Sequence, residues 1–137
     1  MIENFNGITY LVIFLIHFLI YAFYALRYLF GTKSYIDKYE MGDGAAIALR
    51  ILGSMYLGSI LMAIWVGFAR GSLESTWAFF NLIFLQNLCI FSFAIWFHQK
   101  GSLGVNEKTS IYGIFIPGLL TVLSAILCYG LADKIYI

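Results

Sequence analysis

The chain has 137 residues, of which 62% are hydrophobic and 11% are charged, and its formal net charge is +1. This composition excludes an ordinary soluble domain, and a near-neutral charge with no polybasic run gives no reason to expect a nucleic-acid partner. Four apolar stretches are long enough to cross a hydrocarbon core of about 30 Å. We therefore expect an all-α integral membrane four-helix bundle, in which a single transmembrane domain occupies the whole chain.

The predicted spans are residues 8–30, 44–68, 75–97 and 111–132. Basic residues are divided unevenly between the connections. One side of the membrane would carry Arg27, Lys33, Lys38, Lys100 and Lys108, and the other side Arg70 and Lys134. By the positive-inside rule both termini lie on the outer side, and with a bacterial-type membrane assumed the expected location is the inner (plasma) membrane. The short connection between spans two and three predicts that these two helices are antiparallel neighbours.

The first span carries a histidine in the middle of an otherwise lipid-like helix. His17 shares one helical face with Tyr10, Tyr21, Tyr24 and Tyr28. Because polar groups in a bilayer normally face protein, water or a bound ligand, this face is expected to point into the bundle. Tyr10 and Tyr28 fall at the two membrane interfaces and are explained as interfacial anchors. That leaves His17, Tyr21 and Tyr24 as candidate ligand-binding residues.

The second span contains Arg50, which lies roughly 9 Å inside the cytoplasmic edge by helical rise. Its side chain could snorkel to the interface or turn inward, where Tyr24 lies at the same depth. We predict a contact between Arg50 and Tyr24, by hydrogen bond or over the ring face. Ser54 and Gly58, with Gly53 beside them, form a small-residue pattern that permits close helix approach, either within the bundle or between subunits.

Part of this span resembles the second span of small DoxX-like four-helix membrane proteins. Residues 45–58 read AAIALRILGSMYLG, and in that family an arginine is likewise followed by a glycine-rich helix that contains aromatic residues. Arg50 and Gly53 would be the matching positions. The resemblance implies the four-helix fold. Some members look like membrane subunits associated with quinone-linked oxidation, which is a hint about assembly and not an activity.

Helical rise also places polar groups from all four spans near the bilayer midplane. They are His17, Tyr21, Ser54, Gln86 and Thr121. This layer is either a hydrogen-bonded core that holds the helices together or the lining of a binding cavity or proton relay centred on His17. We predict that Gln86 and Ser54 face the side of the first span that carries His17.

Several specific chemistries lack the residues that they need. No lysine lies inside a span for retinal, the second histidine, His98, is at the wrong depth to pair with His17 on a haem, and no carboxylate lies within a span. Cys89 and Cys128 form no zinc or redox motif, and no nucleophile lies beside a base. We expect no enzymatic activity, no catalytic residue and no metal site, and the cofactor is left open.

The expected role is that of an accessory or oligomer-forming structural subunit of a membrane assembly. Its partners would be membrane lipid and other membrane subunits or a second copy, because short connections leave helix faces as the main contact surface. The alternative is a bundle that binds an apolar ligand, such as a quinone, a lipid or a pigment with His17 as its axial ligand. The ligand-binding residues would be His17, Tyr21, Tyr24, Arg50 and Gln86. A small-solute or proton path through the midplane layer is a third possibility.

Overall fold

The computed structural model describes residues 2–101, 105, 106, 108 and 111–137. The regular elements in these residues are all helical: α1 (Ile8–Leu29), α2 (Thr32–Tyr39), α3 (Ala45–Ile64), α4 (Trp77–Lys100), α5 (Tyr112–Gly130) and α6 (Ala132–Ile135). A 3-10 turn at Glu3–Phe5 precedes α1, and a π-helical segment, Trp65–Ala69, continues α3. Within the described residues, four helices are long and apolar enough to cross a membrane, which confirms the all-α four-helix prediction.

The four membrane-length helices match the predicted spans closely. They are α1, α3 with its π-helical extension, α4 and α5, and their bounds differ from the predicted ones by at most three residues. Between the first two lies α2, whose Thr32 and Ile36 are buried. The Thr32 hydroxyl donates to the carbonyl oxygen of Tyr28 at 2.5 Å, so α2 is joined directly to the end of α1.

The central helix of the bundle is α1. Its buried apolar and aromatic side chains recur at intervals of three and four residues, at Leu11, Phe14, Phe18, Tyr21, Ala25 and Tyr28. Both α3 and α5 pack against α1, and α4 packs chiefly against α5. The prediction that spans two and three are close neighbours is therefore wrong, because α3 buries its inner face against α1 rather than against α4.

A glycine allows α3 to approach α1. A methyl group at Gly53 would lie 3.0 Å from Cβ of Tyr28 and 3.0 Å from Cγ of Leu29. Gly58 and Ser54 are exposed on the outward face of α3, and a methyl group at Gly58 would meet nothing within 4 Å. Of the three residues predicted to mediate helix packing, Gly53 does so inside the bundle and the other two face outward.

Replacing Gly53 with leucine is expected to lower the free energy of unfolding by about 2 kcal/mol or more, because the new side chain must push α1 away. Gly58→Leu on the same helix is the matched control, and its expected effect is within about 0.5 kcal/mol of zero. Both are measured by reversible unfolding in detergent micelles, followed by circular dichroism. Equal effects of the two substitutions would contradict this packing of α3.

The end of the bundle that carries both chain termini is closed. Four of its side chains are completely buried, namely Phe5, Leu73, Leu131 and Ile135. The Asn6 side-chain nitrogen donates to the Gly130 carbonyl oxygen at 3.1 Å and to the Asp133 carboxylate at 2.5 Å, so the N-terminal turn is fastened to the C-terminal end of α5 and to α6. We call this the closed end, and the opposite end, beside α2, the α2 end.

Candidate ligand-binding site

A buried hydrogen-bond network joins α1, α4 and α5. The Tyr21 hydroxyl donates to Oδ1 of Asn87 at 2.8 Å, and Nδ2 of Asn87 lies 3.0 Å from Nε2 of His17. The same amide nitrogen lies 3.3 Å from the Ser124 hydroxyl and 3.4 Å from the Leu120 carbonyl oxygen. The four side chains are at most 2% exposed. Since buried polar groups are costly unless they are paired, these residues depend on one another.

This network sets the tautomer of His17. Because Oδ1 of Asn87 accepts from Tyr21, the amide nitrogen supplies a hydrogen to Nε2 of His17, and Nε2 must be the acceptor. The ring hydrogen is then on Nδ1, which has no hydrogen-bond partner among the described residues. His17 and Tyr21 together hold the Asn87 amide in one orientation.

The third span contributes Asn87 to this network and not Gln86, so the prediction that Gln86 faces His17 is wrong. Gln86 is partly buried and forms no hydrogen bond within the described part of the chain. Successive helical residues point about 100° apart, so an error of one position moves the amide to a different face. The sequence signal for Asn87 was weak: it lies four and seven residues after Ile83 and Phe80, which are both buried.

Two other predicted members of the midplane layer satisfy their hydroxyls within their own helices. Ser54 and Thr121 each donate to the carbonyl oxygen four residues earlier, at 2.9 and 2.8 Å. Ser54 is exposed on the outward face of α3, so the prediction that it faces His17 is wrong. Ser124, one turn beyond Thr121, supplies the α5 hydroxyl of the network, and the sequence reasoning missed it.

Arg50 does not contact Tyr24, and that prediction is also wrong. Arg50 is exposed, and its guanidinium forms no ion pair or ring contact with any described residue. The reason is the rotation of α3 about its own axis. The contact of Gly53 with α1 decides which face of α3 is buried, and Arg50 is not on that face. The arginine that does meet an aromatic ring is Arg27, whose Cζ lies 5.0 Å from the centroid of Tyr35.

A partly enclosed cavity of about 240 Å³ lies on the α2 side of the buried network. Six of the described tyrosines line it: Tyr24, Tyr28, Tyr35, Tyr39, Tyr56 and Tyr112. Asn87 belongs both to the network and to the cavity wall. None of the described residues that line the space is charged. We call it the tyrosine cavity.

The tyrosine cavity lies where the surrounding helices offer little side-chain bulk. While Gly53 holds α3 against α1, the facing part of α5 presents Gly113, which has no side chain, and the compact ring of Pro117. Of the predicted ligand-binding residues, Tyr24 lines the cavity. His17 and Tyr21 lie behind Asn87, and Arg50 is on the outside of the bundle.

The tyrosine rings form a connected aromatic wall. The ring centroids of Tyr28 and Tyr56 are 6.1 Å apart with an interplanar angle of 24°, and those of Tyr24 and Tyr28 are 5.6 Å apart. From α2, the ring of Tyr35 lies 5.0 Å from that of Tyr28 and 4.7 Å from that of Tyr39. Three helices thus contribute to one surface, on which a flat ligand could stack.

The hydroxyl groups on this wall have spare hydrogen-bonding capacity. Those of Tyr24, Tyr39 and Tyr56 form no hydrogen bond to any described residue. The hydroxyls of Tyr28 and Tyr35 are 3.5 Å apart, at the limit of a hydrogen bond. A tyrosine phenol is protonated and able to donate at neutral pH, and burial raises the pKa of Tyr35 further above its ordinary value.

Exposed ion pairs support α2, which forms part of the cavity wall. Lys33 lies 2.9 Å from the Asp37 carboxylate and 3.4 Å from that of Asp43. Lys108 pairs with Glu40 just after the end of α2. Solvent-exposed pairs of this kind stabilise a fold by about 0 to 1 kcal/mol each. The α2 end is therefore held less firmly than the closed end with its completely buried side chains.

Comparison of the chain with protein-family models, with curated proteins and with solved structures finds no match in any of the three. The DoxX-like resemblance of residues 45–58 stays a prediction. Within the described residues, no three of the side chains that commonly bind metals come together. The chemistry that the site offers is that of an uncharged aromatic cavity with phenolic donors and one buried amide.

Proposed function

We propose that this chain is an integral membrane protein that binds part of an apolar, membrane-dissolved molecule in the tyrosine cavity. The observation that carries the proposal is a partly enclosed, uncharged, aromatic space whose wall bears tyrosine hydroxyls without a partner among the described residues. Ligand sites are typically concave and mostly apolar, with a few fixed polar groups. They usually measure about 300 to 1,000 Å³. This cavity is smaller, so it would take a headgroup while the rest of the ligand lies in lipid.

Two features favour such a pocket over the other possibilities. The closed end is filled by completely buried side chains, which argues against a solute or proton path along the bundle. His17 is completely buried and its Nε2 is hydrogen-bonded to Asn87, which argues against axial ligation of a pigment. In this proposal His17 and Tyr21 are positioning residues that orient Asn87, and Tyr24 contacts the ligand.

A second candidate function is that of an accessory or oligomer-forming subunit. Arg50, Ser54 and Gly58 lie on the exposed face of α3. A charged side chain near the hydrocarbon is costly, and small residues allow another helix to come close. A helix from a second copy or from another membrane subunit would cover this face. The two functions are compatible because they use different faces of α3. Leu52 and Tyr56 line the cavity, whereas the three residues of the exposed face do not.

We further propose that the α2 end faces the cytoplasm of a bacterial cell and that the termini face outward across the inner membrane. The support is the concentration of basic residues at the α2 end, where Lys33, Lys38 and Lys108 are exposed. The tyrosine cavity would then be reached from the cytoplasmic side or from the cytoplasmic leaflet.

The test is purification in a mild detergent, followed by solvent extraction and mass spectrometry of the bound small molecules. The parent protein should retain an apolar compound in near-stoichiometric amount. Leu52→Trp, which fills the cavity, should reduce that amount at least about tenfold while keeping the thermal stability. Leu57→Trp on the same helix, at an exposed position that does not line the cavity, is the matched control and should retain the compound.

Leu52→Phe, a smaller filler, replaces the tryptophan variant if that one does not fold. Equal retention of the compound by folded filler and control variants would overturn the proposed site, as would a parent protein that carries no apolar compound. The same purification addresses the second candidate. A subunit should keep a second chain bound, and Gly58→Leu, which leaves the isolated bundle intact, should release it.

A further inference from the structure

The charges around the tyrosine cavity restrict what it can bind. A charged headgroup inside it would have no counter-ion among the described lining residues, and an unpaired buried charge is strongly unfavourable. In addition, two of the lining tyrosine rings already have a cation beside them. Arg27 Cζ lies 5.0 Å from the ring centroid of Tyr35, and Lys38 Nζ lies 5.3 Å from the ring centroid of Tyr39. These cations would repel an ammonium group. The fitting ligand is therefore neutral, and both ammonium and phosphate headgroups are disfavoured.

The free hydrogen-bonding groups restrict the ligand further. Both hydrogens of the Asn87 amide are engaged by His17 and by the Ser124 and Leu120 oxygens. The unpaired donors on the wall are phenols, among them those of Tyr24 on α1 and Tyr56 on α3. A pure hydrocarbon would bury these hydroxyls without partners, which is unfavourable. A ligand with acceptor oxygens at its edge would satisfy them.

The shape of the wall completes the argument. The rings of Tyr28 and Tyr56 lie within 24° of parallel, and further tyrosine rings surround them. From these observations we infer that the tyrosine cavity binds a neutral, planar, quinone-like ring whose carbonyl oxygens accept hydrogen bonds from the tyrosine hydroxyls. This inference rests on the proposed function and names the ligand class of that same site.

The experiment compares two probes that differ in their carbonyl oxygens. They are 2,3-dimethyl-1,4-naphthoquinone and 2,3-dimethylnaphthalene, and the methyl groups block addition of the exposed Cys89 thiol to the quinone ring. Binding to the purified full chain in detergent is followed by the rise in melting temperature with probe concentration. We expect the quinone to bind at least about tenfold more tightly than the hydrocarbon. Choline, as a quaternary ammonium probe, should give no shift.

Substitutions then assign the oxygen contacts. Tyr56→Phe and Tyr24→Phe keep the rings and remove one donor each, so each should weaken quinone binding about three- to tenfold. Neither should change the binding of the hydrocarbon. Tyr129→Phe, at a residue that is 86% exposed and outside the cavity, is the matched control and should leave both affinities unchanged.

The outcomes separate the ligand class from the site. Equal binding of the two probes, both abolished by Leu52→Trp, would overturn the quinone-like class and leave the proposed site standing. A larger rise in melting temperature with choline than with the quinone would also overturn the quinone-like class, and it would indicate a cationic ligand. Binding of the quinone that is unchanged in both phenylalanine variants would also overturn the inference. If neither probe binds and no apolar compound is retained on purification, the proposed function falls with it.

Discussion

Replacing Gly130 with alanine is expected to lower the free energy of unfolding by about 2 kcal/mol or more. A methyl group at this position would overlap Cε1 and Cζ of the Tyr10 ring, far inside van der Waals contact. The ring must move, and the carbonyl oxygen of Gly130 also accepts the hydrogen bond from Asn6 that fastens the closed end. The measurement is reversible unfolding in detergent micelles.

Two further variants isolate the cause. Gly113→Ala on the same helix would place its methyl group where nothing lies within 4 Å, so it should not destabilise the protein. In a Tyr10→Ala background, Gly130→Ala should lose most of its effect, because the clashing ring is absent. If the effect of Gly130→Ala persists in that background, the close approach of Tyr10 is not its cause.

Replacing Asn87 with leucine is expected to cost about 2 to 3 kcal/mol of stability, because two buried partners are left unsatisfied. The Tyr21 hydroxyl would lose its acceptor and Nε2 of His17 its donor, and both side chains are at most 2% exposed. This exceeds the average of about 0.6 kcal/mol for a hydrogen bond between membrane helices, since one substitution removes several bonds at once. Melting temperature and reversible unfolding both report the change.

The neighbouring amide provides the control for this second result. Gln86→Leu should change the stability by less than about 0.5 kcal/mol, because Gln86 has no hydrogen-bond partner among the described residues. In a Tyr21→Phe background, Asn87→Leu should cost less than it does alone, because one of the two orphaned groups has been removed. If Gln86→Leu lowered the stability as much as Asn87→Leu does, α4 would have to present a different face to the bundle from the one described above.

The four membrane-length helices could be predicted from the sequence because the length and apolarity of a span are local properties. The buried face of α1 was also readable, since its polar and aromatic residues follow a helical period that ends in Tyr28. Which face of α3 and which face of α4 point into the bundle could not be predicted, because both helices are apolar on nearly every side. Their patterns therefore do not distinguish an inward Arg50 or Gln86 from the observed arrangement, in which Gly53 turns Arg50 outward and Asn87 takes the inward position.

The tyrosine cavity was the least predictable feature because its wall is assembled from distant parts of the chain. Tyr24 was singled out on α1, but its companions Tyr35, Tyr56 and Tyr112 come from three other helices. Nothing in the local pattern around Tyr35 or Tyr112 distinguishes a cavity residue from an interfacial anchor. The empty space depends on how α1, α3 and α5 are placed relative to one another, which is a tertiary property.

The closed end has a consequence for how the protein would exchange what it binds. Because Phe5, Leu73, Leu131 and Ile135 fill that end completely, the tyrosine cavity has no passage through the closed end. A molecule bound there could not leave through the closed end. Occupancy would then be independent of any molecule that arrives at the closed end, so the two sides of the membrane would not be equivalent for binding.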